Sequence, residues 1–382
     1  MALRALARVN LAAIERNAAR LRARLTGGSE LCAVVKAQAS GHGAVPTARA
    51  ALAGGATRLA VATVGEAAEL REAGLTAPIL IMGAISAEEL PVALAAGADV
   101  VGWSERFVDD LARAAAPGRP IGVHVKLDTG MGRLGTRELD DAVALAERLV
   151  GSASPGLALA GAMTHFATAD CDPDFLAVQL QAFAPFVERL RNGDRGHRVL
   201  IHAANSAATV GEPASHFDMV RCGIAIYGCD PMNQDPDGPG LEPALQLSSY
   251  VAAVKRARPG EGSGYGRRFI AERDTWIATL PIGYGDGIRR GLSNNCDVLI
   301  GGRRYPVVGT VSMDNITVDV GPATGGAPVK VEQDAIIIGR SGAERQTVED
   351  LANRLDTVNH EVLCGISARV PREYHRDGEP VR

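Results

Sequence analysis

Eight short apolar runs, each followed by a polar turn and most then by a helical pattern, constrain this chain more than any other feature. They are LCAVVKA (31–37), RLAVATV (58–64), PILIMG (78–83), ADVVGWS (98–104), IGVHVKLDT (121–129), LALAGAMTHF (157–166), RVLIHAAN (198–205) and MVRCGIAIYG (219–228). Strands that are apolar on both faces and alternate with helices imply a parallel sheet covered on both sides. Between the runs, VGEAAELREAG, SAEELPVALAAG and RELDDAVALAERLV repeat apolar residues at helical spacing. Eight such units point to a closed (β/α)8 TIM-like barrel, although a doubly wound open sheet produces similar local signals. The N-terminal stretch MALRALARVNLAAIERNAARL reads as a helix. Ile14, Ala18, Leu21 and Leu25 stand at helical spacing, and Asn10 is a plausible cap.

The texture changes near residue 230. DPMNQDPDGPG is a Pro/Gly/Asp linker. Beyond it come LQLSSYVAAVKRA, TWIATLPIG, CDVLIGG, YPVVGTVSMDNITVDVG and DAIIIG, separated by glycine turns, with helical periodicity only near 347–355. This reads as a mostly β C-terminal domain. The expected division is a barrel over 1–235 and a β-rich domain over 236–382, and 382 residues suit two domains.

Bulk properties exclude several partners. A net charge of −4 argues against nucleic acid or an anionic membrane surface. No apolar run approaches the roughly 18 residues of a membrane span. The N-terminus lacks a continuous apolar signal core, so a cytoplasmic protein is expected. Cys32, Cys171, Cys222, Cys229, Cys296 and Cys364 are scattered without a CxxC pair, and the histidines are dispersed without HExxH. No metal site and no disulfide framework are expected.

Of 40 basic residues only four are lysine: Lys36, Lys126, Lys255 and Lys330. Where arginine serves every plain positive charge, a remaining lysine points to chemistry that needs an amine able to lose its proton, such as a Schiff base or a carbamate. Lys255 and Lys330 read as solvated charges. Lys36 and Lys126 stand differently. Together with Arg133, His165, Asn205, Ser206 and the stretch Arg221–Ile224, they fall at or just beyond the C-terminal part of a predicted strand, the face where barrels of this kind build active sites. An amine at the end of a buried strand is expected to be partly desolvated, which lowers its pKa. SGHG (40–43) and GIAIYG (223–228) supply small residues and backbone N–H groups that can cradle a phosphate. GSGYG (262–266) lies outside any βαβ unit and is not a dinucleotide fingerprint.

AVVKAQASGHG around Lys36 resembles the cofactor-lysine signature of the alanine racemase family, pyridoxal-phosphate enzymes of fold type III. The resemblance continues in order through HVKLDTGMGRLG (124–135), THFATAD (164–170), HAANSAA (202–208), VRCGIAIYG (220–228), GYGRRF (264–269), WIATLPIGYGDG (276–287), VGTVSMDNITVDV (308–320) and ISARVPRE (366–373). It implies pyridoxal 5′-phosphate as cofactor and a small amino acid as substrate. It also implies a homodimer with shared active sites. Lys36 would carry the cofactor on its amine and act as one base. Tyr265 of the partner subunit would be the other. Arg221 would face the pyridine nitrogen, and His165 would link Arg221 to Tyr265. Arg133 would bind the substrate carboxylate, oriented by Lys126 as a carbamate. The resemblance also implies that Met313 of the partner subunit offers its backbone N–H to that carboxylate and that Tyr284 lies beside the substrate. Ser40, Asn205, Ser206, Gly223 and Ile224 would hold the cofactor, mainly at its phosphate.

Two bases also follow from the reaction itself. Racemisation removes a proton from one face of Cα and returns one to the other, which a single group reaches with difficulty. Three positions depart from the family pattern: Gln38 for an acidic or amide residue, Ser40 for a tyrosine and Ala368 for a tyrosine. Losing two phenols widens the pocket, so the alternative to an alanine racemase is a racemase of broader preference, serine among its substrates. A fold-related decarboxylase and a non-catalytic pyridoxal-phosphate binder fit less well, because the region carrying Tyr265 matches neither.

Overall fold

The computed structural model describes residues 3–115, 120–150, 156–192 and 199–381. It divides into two compact units. One comprises Ile14–Ala39 and Gly43–Ile226; the other comprises residues up to Ala13, Ser40–His42 and the chain from Tyr227 on.

The first unit is a closed barrel of eight strands in sequential order. After β1 (Leu6–Asn10) they are β2 (Glu30–Val34), β3 (Arg58–Val61), β4 (Ile79–Ile81), β5 (Asp99–Gly102), β6 (Ile121–Lys126), β7 (Leu157–Met163), β8 (Leu200–His202) and β9 (Met219–Cys222). Every neighbouring pair is parallel, and β2 closes the ring on β9. All eight predicted runs overlap a barrel strand, the first of which begins one residue before its run, at Glu30; Arg198, the first residue of the run 198–205, lies outside the described residues. Cys32, Val34, Ala60, Leu80, Val101, Met163 and Met219 make a buried apolar cluster in this unit. The predicted helices appear at Val64–Glu72, Leu90–Ala96 and Leu139–Val150. Thr63 starts the first with a capping box to Glu66.

The second unit is mostly β, with strands including Leu245–Tyr250, Thr275–Leu280, Ile316–Pro322, Asp334–Ser341 and Arg372–Arg376. The helix expected near 347–355 is Val348–Arg354, capped by Thr347. A second short helix, Asn359–Cys364, has no counterpart among the expected elements.

One expectation is corrected at the N-terminus. The helix runs only from Leu11 to Arg24, with Asn10 Oδ1 accepting the Ala12 N–H at 3.1 Å. The five residues before it form β1, antiparallel to Leu245–Tyr250 and parallel to Arg372–Arg376. Ala7 and Val9 are buried while Leu6, Arg8 and Asn10 are half-buried, the period-2 pattern of a strand. Five residues are too few for periodicity to declare a strand against the helix that follows. The observed division therefore differs from 1–235 and 236–382: β1 completes the second unit's sheet, and that unit also takes 227–235.

Candidate active site

The candidate residues stand at or just after the C-terminal ends of the barrel strands. Lys36 follows β2, Lys126 ends β6, His165 follows β7, Asn205 and Ser206 follow β8, and Gly223 and Ile224 follow β9. His165 feels the charges of Arg221, Lys126, Arg133 and Lys36. Burial first and those cations next hold its imidazole well below the ordinary range. Four cations around one neutral imidazole make a site suited to an anionic ligand.

Lys36 opens a strained turn. Ala37, Gln38 and Ala39 take left-handed backbone angles, with φ of 52°, 53° and 51°, and Ser40 follows at 49°. For L-residues each costs about 1–2 kcal/mol. Glu66 holds the turn open, accepting the Ala37 N–H at 2.6 Å through Oε1 while Oε2 takes the N–H groups of Ala62 and Thr63. Gln38 donates from Nε2 to Glu69 at 2.8 Å, and its Oε1 accepts the Ala44 N–H at 3.3 Å. A carboxylate at position 38 would face Glu69 with like charge, so the amide fits this chain. Strain sustained by its surroundings is a mark of functional sites. Lys36 itself is exposed. Position after β2, not burial, distinguishes it.

Burial falls on Lys126 instead, which is 4 % exposed. Desolvation, then the positive charges of Arg221 and Arg133, bring its ammonium down to about 8. Arg133 is exposed in the following loop. That loop is shaped by Asp128, whose Oδ1 accepts the N–H groups of Gly130 and Gly132 at 3.2 and 3.0 Å.

Arg221 is the most constrained member. It is 3 % exposed. Its Nη2 donates to Thr164 O at 3.0 Å, Ala203 O at 2.9 Å and His165 Nδ1 at 3.2 Å, and its Nη1 donates to His202 Nδ1 at 2.7 Å. Burial lowers it to about 10, so it remains a cation at neutral pH. Beside it, Ser206 Oγ accepts the N–H groups of Gly223 at 3.0 Å and Ala225 at 3.4 Å. Asn205 spends its Oδ1 on the Ala208 N–H, capping the helix that carries Ser206. Ile224 is buried, and a Cβ added at Gly223 would meet Val34 at 3.5 Å, an ordinary contact distance that leaves little spare room. This donor set fits pyridoxal 5′-phosphate: an accessible amine, a fixed guanidinium for a ring nitrogen, and hydroxyl and N–H groups for a phosphate.

In the second unit, three candidates distant in sequence sit on linked loops. Thr310 donates to Tyr265 O at 2.7 Å; Tyr284 N–H donates to Ser312 O and Gly285 N–H to Met313 O, both at 2.9 Å. Tyr265, Tyr284 and Met313 are 73, 44 and 50 % exposed. Buried Asp286 anchors the middle turn, accepting the Gly283 N–H at 2.9 Å and pairing with Arg4. In the same unit, Arg372 donates from Nε to Gly41 O at 3.0 Å and from Nη1 to Ser367 O at 2.6 Å. It thus ties the segment holding Ser40 to the turn holding Ala368, where the two family tyrosines are missing.

Sequence reasoning missed four supports: Glu66, Gln179, His202 and Arg372. Gln179 is fully buried and braces the loop after β7, with Nε2 to His165 O at 3.2 Å and Oε1 to the Ala167 N–H at 2.8 Å. Its one signal was an amide on the apolar side of a helix.

The chain matches the models "Alanine racemase, N-terminal domain" over residues 9–231 and "Alanine racemase, C-terminal domain" over 244–374. It is 42 % identical to the alanine racemase of Thermobifida fusca over 373 residues, covering 96 % of this chain and 97 % of the relative. It is 39 % identical to that of Geobacillus stearothermophilus, covering 97 % and 93 %. Among solved structures, the alanine racemase from D-cycloserine-producing Streptomyces lavendulae superposes with a TM-score of 0.91 at 35 % identity, covering 98 % of each chain.

Proposed function

The chain belongs to the alanine racemase family and interconverts L- and D-alanine, and from that premise we propose that Lys36 and Tyr265 are its two bases, acting on opposite faces of the substrate Cα. The family depends on pyridoxal 5′-phosphate. When bound, that group supplies an electron-withdrawing ring that makes the Cα proton acidic enough to leave. Lys36 holds it through its amine. Ser206, with the backbone of Gly223 and Ile224, holds its phosphate. Arg221 keeps its own proton and meets the ring nitrogen as a donor, so the nitrogen stays unprotonated and side reactions such as transamination are disfavoured. The observation that carries this reading is the clamping of Arg221 among His202, His165, Thr164 and Ala203.

Arg133 binds the substrate carboxylate. Lys126, with an ammonium near 8, reaches the neutral form that takes up carbon dioxide, and as a carbamate it orients Arg133. Tyr265, Tyr284 and Met313 come from the partner subunit of a homodimer. Their exposure on linked loops supports a second copy of this chain as the surface that covers them. Six free cysteines suit a reducing, cytoplasmic setting. Among the described residues no helix is long and apolar enough to cross a membrane.

The test runs in deuterated water. Tyr265→Phe should abolish racemisation yet retain Cα proton exchange from one enantiomer, the one served by Lys36. Undiminished racemisation in that variant would remove Tyr265 as a base. A second reading, broader substrate preference, is favoured by exposed Ala368 on the turn that Arg372 ties to Gly41.

A further inference from the structure

Behind Arg221 the barrel holds a line of polar side chains that the proposed chemistry does not use. His202 Nε2 lies 2.7 Å from His124 Nδ1. His124 Nε2 faces Asp99 Oδ2 at 3.7 Å, Asp99 faces Arg58 at 3.7 Å, and Arg58 pairs with Glu30 at 3.1 Å. Both imidazoles are buried, at 1 and 0 % exposure. Two glycines on adjacent strands make room for the line. A Cβ at Gly161 would lie 2.7 Å from His124 Cε1, and one at Gly122 would lie 2.7 Å from Asp99 Cγ.

Donor and acceptor roles permit one protonation pattern. Arginine has no acceptor, so His202 Nδ1 must offer its lone pair to Arg221. His202 is held well below its ordinary range by burial, then Arg221 and His124, so it is neutral and carries its proton on Nε2. That N–H requires a lone pair on His124 Nδ1. The remaining His124 proton then sits on Nε2, which faces the Asp99 carboxylate at 3.7 Å without a hydrogen bond. The reverse assignment would place an N–H of His202 against an N–H of Arg221.

We propose that His124 is a positioning residue for Arg221: it favours the Nε2–H tautomer of His202, so that His202 presents a lone pair that aligns the guanidinium. Without an acceptor at 124, the buried His202 Nε2–H is left unpaired, which weakens the preference for the tautomer that Arg221 requires. A second acceptor of similar reach, the Oδ1 of asparagine, restores the lock. The catalytic consequence rests on the reading of Arg221 as the partner of the cofactor's ring nitrogen; the tautomer lock does not.

Long-range proton–nitrogen correlation spectra of histidine-labelled holoenzyme read the tautomers directly. Wild-type His202 and His124 are expected to carry protons on Nε2. His124→Leu should lose that pattern at His202, lower kcat about tenfold or more with little change in KM, and alter the visible band of the bound cofactor. His124→Asn should restore all three. A wild-type His202 protonated on Nδ1, or on both nitrogens, overturns the proposal even if His124→Leu does not fold. So does a folded His124→Leu with unchanged His202 tautomer and kcat. Lys36→Ala leaves this line untouched: retained activity in that variant would defeat the proposed chemistry, whereas intact tautomers in it would show that the lock stands on its own.

Discussion

Gly161 and His124 face each other across adjacent barrel strands, and the space a side chain on Gly161 would fill is the space the His124 ring occupies. A Cβ there would also approach Leu200 O to 2.7 Å, a backbone atom that cannot turn aside. Gly161→Ala is therefore expected to cost about 1–3 kcal/mol by overpacking. Gly65, in the helix Val64–Glu72, has nothing within 4 Å of a Cβ, so Gly65→Ala should be neutral or stabilising by about 0.5–1 kcal/mol. Thermal denaturation of the two variants side by side decides this. Equal melting temperatures would show that the barrel yields at Gly161.

Lys36→Ala should lose the cofactor's covalent link and with it the visible absorbance of the bound form. Turnover should fall by at least a factor on the order of 10²–10⁴, the usual worth of a proton-transfer group alone. Borohydride reduction followed by peptide mass mapping is the measurement. Cofactor trapped on another residue of the variant would reassign the amine.

Lys36→Ala and Tyr265→Ala, each inactive as a homodimer, should regain part of the activity when mixed and allowed to exchange subunits. A heterodimer then contains one site with both bases. Verified heterodimers without activity would mean that both bases act from one chain.

Carbamate on Lys126 requires the neutral amine, so its occupancy should rise with pH through about 8. The sign for stability follows from the same shift. The folded value, about 8, lies below the ordinary 10.5, so the folded state disfavours the ammonium. The penalty is fully present below about pH 8 and is relieved as pH rises toward 10.5. Carbon-13 bicarbonate with NMR detection reads the carbamate, and Lys126→Arg should erase it. A signal that survives in Lys126→Arg would place the carbamate elsewhere.

Ala368→Tyr should raise the ratio of kcat/KM for alanine over serine, because one methylene in a tight pocket is worth about 1–3 kcal/mol. It should also tighten the cofactor by about tenfold if the phenol regains a hydrogen bond to the phosphate. An unchanged ratio in an enzyme that already rejects serine would show that the missing phenols do not set selectivity.

Sequence alone determined the eight βα units, the change to a β-rich second part, and the reactive candidates at strand ends. These signals are local: an apolar run, a turn and a lysine all lie within a dozen residues of one another. Tertiary structure decided what depends on distant pairing. Leu6–Asn10 became a strand because Leu245–Tyr250 and Arg372–Arg376 offered it both edges. The left-handed turn after Lys36 finds its acceptor in Glu66, 29 residues on from Ala37, which takes the Ala37 N–H. His202 and His124 are 78 residues apart, and nothing in either neighbourhood says which face of its strand each occupies. Only closure of the barrel brings the two rings together, where burial leaves His202 dependent on the two partners it meets, Arg221 and His124.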